Sequence, residues 1–463
     1  MLEAQFPETA ATQPELLAHH YTEAGLPTQA IPFWQKAGLR ASERSAYVEA
    51  LAHLTAGLAL LPLLPATPAR TQQELDFQLA LGPVLAATKG NAAPEVGQVY
   101  TRARTLCQEI GATPQHFPVL VGLWRFALIQ GEFRQAHELS LELFDLANRA
   151  RDAALRLEAQ RALGMTLYFL GDLMAARAPL EQGMRLYHPQ QHRAHAALYG
   201  RDPGVDCYAY AALTLGLLGY PDQARVQMHT ALTLAEQLAS PLMQGWVLVF
   251  MAWLHQFHRA ERLTQEWAEA ALVLAHKHGF PQVSAMGRIL HGWACTMQGD
   301  GASGVAEMHQ GLAAWRATGT EIALPSYLAL LAEWYGSAGQ GARGLEVLAE
   351  ARAAAQHRQE RFYEAEFYRL EGVLLLTQSV DRVAEATTCF QHALTLARQQ
   401  QAQWWALRAA MSLSRLWQQQ GKQTEARALL APIYGWFTEG FDTADLQEAK
   451  ALLAALEGEH GRG

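Results

Sequence analysis

The chain has 463 residues, half of them hydrophobic and 17% charged, with a formal net charge of −8 at pH 7. One compact core rarely organises that much chain, so several domains or an elongated repeat array is expected. The acidic balance, with Lys only at Lys36, Lys89, Lys277, Lys422 and Lys450, excludes the basic footprint of a nucleic-acid binder.

The opening "MLEAQFPETAATQPELL" has neither a basic start nor an apolar run, so no secretory leader is expected in it. Even "GWVLVFMAWLHQFH" is too short and interrupted to span a bilayer, and no membrane partner is expected. Residues 1–61 are expected to form the N-terminal helices of an array, three of them over 13–61. Residues 62–437 read as helical hairpins at 71–111, 115–150, 152–187, 205–239, 240–279, 280–319, 320–359, 360–401 and 402–437, with an insertion at 188–204. Glycines punctuate them: Gly131, Gly171, Gly219, Gly299, Gly339 and Gly421 each follow a helix-like run, at gaps near forty residues or twice that. Glycine suits a helix end because the backbone turns left-handed there. Residues 438–463 read as a C-terminal capping helix and tail. Asp442 or Thr443 would be its N-cap, with Asp445 in the first turn and Glu448 and Lys450 on a polar outer face. No strand is expected.

A second ladder runs through the second helix of each hairpin: Ala176/Leu180/Gly183, Ala224/Met228/Ala231, Gly304/Met308/Gly311, Gly344/Leu348/Ala351, Ala386/Phe390/Ala393 and Ala426/Leu430/Ile433. Spacings of four and three put each trio on one helical face. The preceding helices carry Leu163/Gly164/Leu167, Leu331/Ala332/Tyr335 and Leu413/Ser414/Trp417 at matching offsets. This six-position signature resembles the tetratricopeptide repeat. The resemblance implies an all-α, right-handed superhelical solenoid of helical hairpins.

Longer strings, among them "LLAHHYTEAGLPTQAIPFWQKAG", "HRAHAALYGRDPGVDCYAYAALTLGLLGYPDQA", "GLAAWRATG" and "LLAPIYGWFTEGFDTADLQEAKALL", resemble the C-terminal repeat region of large bacterial predicted ATPases. Many of those carry an adenylate-cyclase-like domain, and their repeats follow a nucleotide-binding switch. No phosphate-cradling G-x-x-x-x-G-K-[ST] loop occurs here, because Gly421-Lys422 is followed by Gln423. ATP hydrolysis is therefore not carried over, and no catalytic residue or cofactor is expected.

Cys107, Cys207, Cys295 and Cys389 stand far apart, without the spacing of a metal knuckle or redox pair. They read as small buried hydrophobes in a reducing cytoplasm. His188, His192 and His195 are spaced four and three apart and would align on one helical face as a Zn²⁺ set. Pro189 interrupts that segment and no acidic partner is placed to orient the imidazoles, so no metal site is expected. Read as a long loop, the insertion offers Arg193, Tyr199, Arg201 and Asp202 as partner-binding residues. The plainer alternative is a turn at Asp202-Pro203-Gly204, with Arg201 paired to a nearby acid.

The repeat register places Arg125, Glu158, Arg161, Tyr168, His255, Trp293, Glu333, Glu366, Arg369, Arg408 and Arg415 on the concave face. Exposed Tyr, Trp and Arg dominate binding hot spots, so Arg125, Arg161, Tyr168, Trp293, Arg369, Arg408 and Arg415 are the groove's candidates. Arg369, Arg408 and Arg415 are expected to form an exposed carboxylate-binding cluster with no structural duty, partly neutralised by Glu366. The expected function is a non-catalytic scaffold holding a protein or peptide, with an acidic segment as the favoured partner chemistry. The alternative is the ligand-sensing arm of a nucleotide-dependent signalling protein.

Overall fold

The computed structural model describes residues 12–44, 46–111 and 114–458, leaving aside the side chains of 193–197. Among these residues there are 23 α-helices and no strand. The chain divides into two compact units, residues 1–130 with 198–200, and residues 131–197 with 201–463.

The first unit holds α1 (Pro14–Glu23), α2 (Pro27–Glu43), α3 (Tyr47–Leu60), α4 (Pro68–Lys89), α5 (Pro94–Ile110) and α6 (His116–Ile129). Each packs on the next. The Thr67 hydroxyl caps α4 by accepting from the Arg70 N–H, and Pro68 fills the first helical position, where its missing donor does no harm. Gly82 and Gly122 sit against the buried Tyr100 ring, where a Cβ at either would collide with it.

The second unit begins with α7 (Phe133–Ala150), α8 (Ala153–Phe169), α9 (Leu173–Leu186) and residues 189–197 of α10 (Pro189–Tyr199). It continues through α11 (Pro203–Leu218), α12 (Pro221–Gln237), α13 (Pro241–Phe257), α14 (Glu261–His278), α15 (Pro281–Met297) and α16 (Gly301–Ala317). The last helices are α17 (Leu324–Ser337), α18 (Gly341–Arg358), α19 (Glu364–Gln378), α20 (Val383–Gln399), α21 (Gln403–Gln419), α22 (Gln423–Tyr434) and α23 (Ala444–Gly458). From α8 to α22, leaving out α10, consecutive helices pair as hairpins, and α23 closes on α21 and α22. Asp152, Asp172, Asp202 and Ser240 cap α8, α9, α11 and α13 through their side-chain oxygens. Gly219 ends α11 at φ 96°, a conformation in which any side chain would be strained. The insertion expected as a loop is mostly helical, because residues 189–199 form α10.

All eighteen residues of the small–large–small ladder are buried. Leu375, Phe390, Leu413 and Leu416 join α19, α20 and α21 in one such contact. Full burial of side chains of this size contributes about 1.5–3 kcal/mol each.

The inner face of this unit is not the open groove expected from the register. Rings from distant repeats fill it: Tyr168 stacks on Phe362 at 5.0 Å, Trp253 meets Phe362 at 5.7 Å, and Phe257 meets Trp405 at 5.6 Å. Hydrogen bonds seal the contact, with the Arg361 N–H donating to the Phe169 carbonyl at 2.8 Å and Trp404 Nε1 to the Phe257 carbonyl at 3.0 Å. Burial of these aromatics excludes water from the centre of the array, and a cleft remains at its C-terminal end.

Candidate functional site

At that end, α19 and α21 face α23 and the end of α13 across a cleft of about 470 Å³. One wall is apolar, made by Leu376, Phe390, Met411 and Leu416. The other carries Arg259, Arg369, Arg408, Arg415, Glu333, Asp445 and Glu448. Glu366, directly beneath, receives two bonds from Arg369 Nε, at 2.8 and 3.0 Å.

The four arginines are held by four carboxylates. Arg408 Nη1 lies 3.0 Å from Glu366 Oε2, and its Nη2 donates to Glu333 Oε1 at 3.4 Å. Arg259, at a left-handed φ of 54°, donates through Nη1 to Asp445 Oδ1 at 3.2 Å and Glu448 Oε1 at 3.0 Å. Arg415 Nη2 donates to Glu448 Oε2 at 2.6 Å. Burial works to raise the Glu333 carboxyl, but Arg408, Arg369 and the Trp293 indole N–H outweigh it and hold Glu333 below its ordinary value. Glu448 is likewise held low by Arg259 and Arg415 against partial burial.

The pairing leaves capacity over. Among the described residues Arg369 Nη2 has no hydrogen-bond partner, and it lies 3.6 Å from Glu333 Oε1. Arg408 Nη1 is close to Glu366 without the alignment of a hydrogen bond, and Asp445 Oδ2 lies 4.0 Å from the Arg408 Nε. Arg369, Arg408 and Asp445 are only 8%, 6% and 1% exposed. Buried polar atoms are nearly always satisfied, so three unsatisfied ones at one cleft are unusual.

Arg369, Arg408 and Arg415 thus meet at one place, as the register implied, but the expected exposure holds only for Arg415. Arg369 and Arg408 have a structural duty, because each neutralises buried carboxylates. Arg161 is 1% exposed, bonded to Glu158 Oε2 at 2.8 Å and Asp206 Oδ2 at 3.0 Å. Tyr168 lies inside the aromatic cluster, and Trp293 donates to Glu333 at 3.1 Å. These side chains do not line an open surface; helices from later repeats cover the face they occupy.

The insertion residues also have internal partners. Asp202 caps α11 through the Val205 N–H and accepts from the Tyr187 hydroxyl, both at 3.0 Å. Arg201 grips Asp206 and covers the Trp246 ring at 4.9 Å. Tyr199 is buried and its carbonyl accepts from Arg125 Nη1 at 2.6 Å. His192 Nδ1 already accepts the His188 N–H at 3.0 Å. The side chains of Arg193 and His195 lie outside the described residues. Sequence reasoning missed Arg259, Asp445 and Glu448 as lining groups. Asp445 and Glu448 were legible only as parts of a closing helix, and no local pattern marks Arg259.

No family model matches the chain. An uncharacterized protein of Rhizobium meliloti (strain 1021) is 26% identical over 363 residues, covering 77% of this chain and 35% of that protein. The chain therefore spans about a third of that relative's length. Among solved structures, a Rap protein complexed with competence and sporulation factor aligns over 86% of this chain and 99% of its own at a TM-score of 0.55 and 13% identity. The fold is a tetratricopeptide-like helical solenoid. A more distant likeness, at a TM-score of 0.36 and 14% identity, is to a signal-transduction ATPase with a tetratricopeptide repeat sensor from Pyrococcus horikoshii. It covers 80% of this chain and 57% of that one.

Proposed function

We propose that the chain is a non-catalytic interaction scaffold whose second unit takes a peptide segment of a partner in the cleft between α19, α21 and α23. The observation that carries this reading is the unused hydrogen-bonding capacity of Arg369 Nη2, Arg408 Nη1 and Asp445 Oδ2 beside an apolar wall. A peptide supplies both missing halves. Its carbonyl or carboxylate oxygens accept from the arginines, and its N–H groups donate to Asp445. An apolar side chain then covers Phe390 and Leu416. The four arginines are matched by Glu333, Glu366, Asp445 and Glu448, so the cleft is no general trap for anions. A single acidic side chain or chain terminus, engaged by the exposed Arg415, is the favoured charged element. A Rap protein of similar fold was solved in complex with competence and sporulation factor, which supports binding as the use of this architecture.

The cytoplasm is the proposed compartment, in keeping with four free cysteines. A second reading, the sensing arm of a nucleotide-dependent signalling protein, is favoured by one fact: the relative from Rhizobium meliloti is almost three times as long as the matched region.

A displayed library of random peptides, panned on the purified chain, tests the proposal. Ser412 lines the cleft without being buried, so Ser412→Trp should block it while leaving the melting temperature nearly unchanged. Enrichment of peptides that bind the wild-type chain and fail on Ser412→Trp is the expected result. Absence of enrichment, or equal binding to Ser412→Trp, overturns it.

A further inference from the structure

The closest helix packing in the second unit lies away from the cleft, between α15 and α16. A Cβ on Gly292 would lie 2.5 Å from the Gly304 carbonyl oxygen, and one on Gly311 would lie 2.7 Å from Ile289 Cγ1. The two backbones therefore touch, and their outward side chains are forced together. His291 and Cys295, four residues apart on α15, share one helical face. Glu307 of α16 reaches His291 Nδ1 at 2.6 Å, and Glu269 of α14 reaches Nε2 at 3.2 Å. Cys295 Sγ lies 3.8 Å from Nδ1. One ligand atom each from His291, Cys295 and Glu307 fall within 4.8 Å of one another.

We infer that His291 Nδ1, Cys295 Sγ and Glu307 Oε2 form a binding site for one Zn²⁺ ion, with Glu269 orienting the imidazole. Ligand atoms around a tetrahedral zinc lie about 3.4–3.6 Å apart, given zinc–donor bonds of about 2.0–2.3 Å. The sulfur–nitrogen separation is already near that value, and Glu307 need withdraw by less than an ångström. A mixed nitrogen, sulfur and oxygen set suits borderline Zn²⁺ and not the hard Ca²⁺ or Mg²⁺. Glu269 occupies the place of the outer carboxylate that accepts the second ring N–H of a zinc-bound histidine and fixes its tautomer. Three protein ligands leave a fourth position for water.

The charge around the group points the same way. Among the described residues no Lys or Arg pairs with Glu269 or Glu307, and His291 is the sole cation between them. On binding, Zn²⁺ displaces the thiol proton and the Nδ1 proton to solvent, so acid competes with the metal. Two departures from the sequence reading follow. Cys295 is half-exposed and not a core hydrophobe, and the histidine with metal-ligand geometry is His291, outside the 188–204 insertion.

Metal-stripped full-length chain titrated with Zn²⁺ against a chromophoric chelator tests the inference. One Zn²⁺ per chain is expected, with affinity lowered at least about tenfold in Cys295→Ser and in Glu307→Gln, and about 10–100-fold in Glu269→Gln. Cys389→Ser should bind as the wild type does. Co²⁺ in place of Zn²⁺ should give a thiolate-to-metal charge-transfer band that Cys295→Ser abolishes. No saturable binding, or binding that survives both Cys295→Ser and Glu307→Gln, overturns the assignment.

Discussion

Helices α8 and α19 carry the same Glu-x-x-Arg pair in the same register. Arg161 and Arg369 each stand three residues before a glycine, Gly164 or Gly372, that faces a ladder residue of the next helix, Leu180 or Phe390. The first pair is closed. Arg161 spans Glu158 and Asp206, while Arg201 holds the other side of Asp206 at 2.5–3.0 Å. The second pair borders a cleft, which Arg369 lines. The same Glu-x-x-Arg-x-x-Gly pattern is thus enclosed in one repeat and lies at the edge of a cleft in another. The difference is made by what arrives from elsewhere: α11 brings an aspartate to the first pair, whereas α23 stops short of the second and leaves space.

The largest expected effect comes from opening either cluster. Arg161→Ala leaves Glu158 buried without its cation and Asp206 with Arg201 alone, which should cost about 3–5 kcal/mol in chemical denaturation. Arg408→Ala should cost somewhat less, since Glu366 and Asp445 lose a shared cation but keep Arg369 and Arg259. A loss below about 1 kcal/mol in either would show that the carboxylates reach solvent or take up protons. This reverses the expectation that Arg408 is free of structural duty.

Glu360, a carboxylate buried without an arginine ion pair of its own, sharpens the comparison. Glu360 is 2% exposed. Burial pushes its pKa up to about 8, although the Ala323 N–H and Arg358 pull the other way. Its folded value is above its unfolded value, so the folded state holds the extra proton between the ordinary carboxylate range and about pH 8. Stability therefore falls as pH rises through that window. Glu360→Gln should stabilise the chain at pH 8 and change little at pH 4, as read by thermal melts at both values. Equal effects at the two pH values would remove the burial argument.

The smallest effect is expected at the exposed edge. Arg415 pairs with Glu448 at 46% exposure, and Arg415→Ala should change stability by no more than about 0.5 kcal/mol. The same substitution should weaken binding of an enriched peptide bearing one carboxylate, and added salt should narrow the gap between wild type and variant. A peptide affinity indifferent to both would remove Arg415 from the site.

Helix positions were legible over most of the described residues, α10 in the insertion being the exception. The expected hairpins from 71 to 437 match observed helices to within about four residues at each end. The six punctuating glycines all take positive φ. Capping residues, glycines and apolar periodicity act within a few residues of one another, and such local effects are written directly in the sequence. Register also placed Glu333, Glu366, Arg369 and Arg408 on a shared inner face, but it could not tell whether that face was wet.

Burial was decided by segments far apart in the chain. Trp404 of α21 bonds to the Phe257 carbonyl, Arg361 to that of Phe169, and Asp442 to Arg225 of α12. A periodic pattern marks a helix's apolar stripe but not its distant neighbour, so residues read as exposed hot spots became internal ion pairs. The grouping of His291 and Cys295 with Glu307 and Glu269 has the same origin. The i, i+4 pair was visible in the sequence, while the carboxylates arrive only because Gly292, Gly304 and Gly311 let two helices touch. The sequence by itself determined the helices, their order and their buried stripes, because those follow from short-range sterics and hydrogen bonding. Which charged groups meet, and which of them keep bonding capacity to spare, was decided by the tertiary structure, because that depends on contacts between repeats up to two hundred or so residues apart.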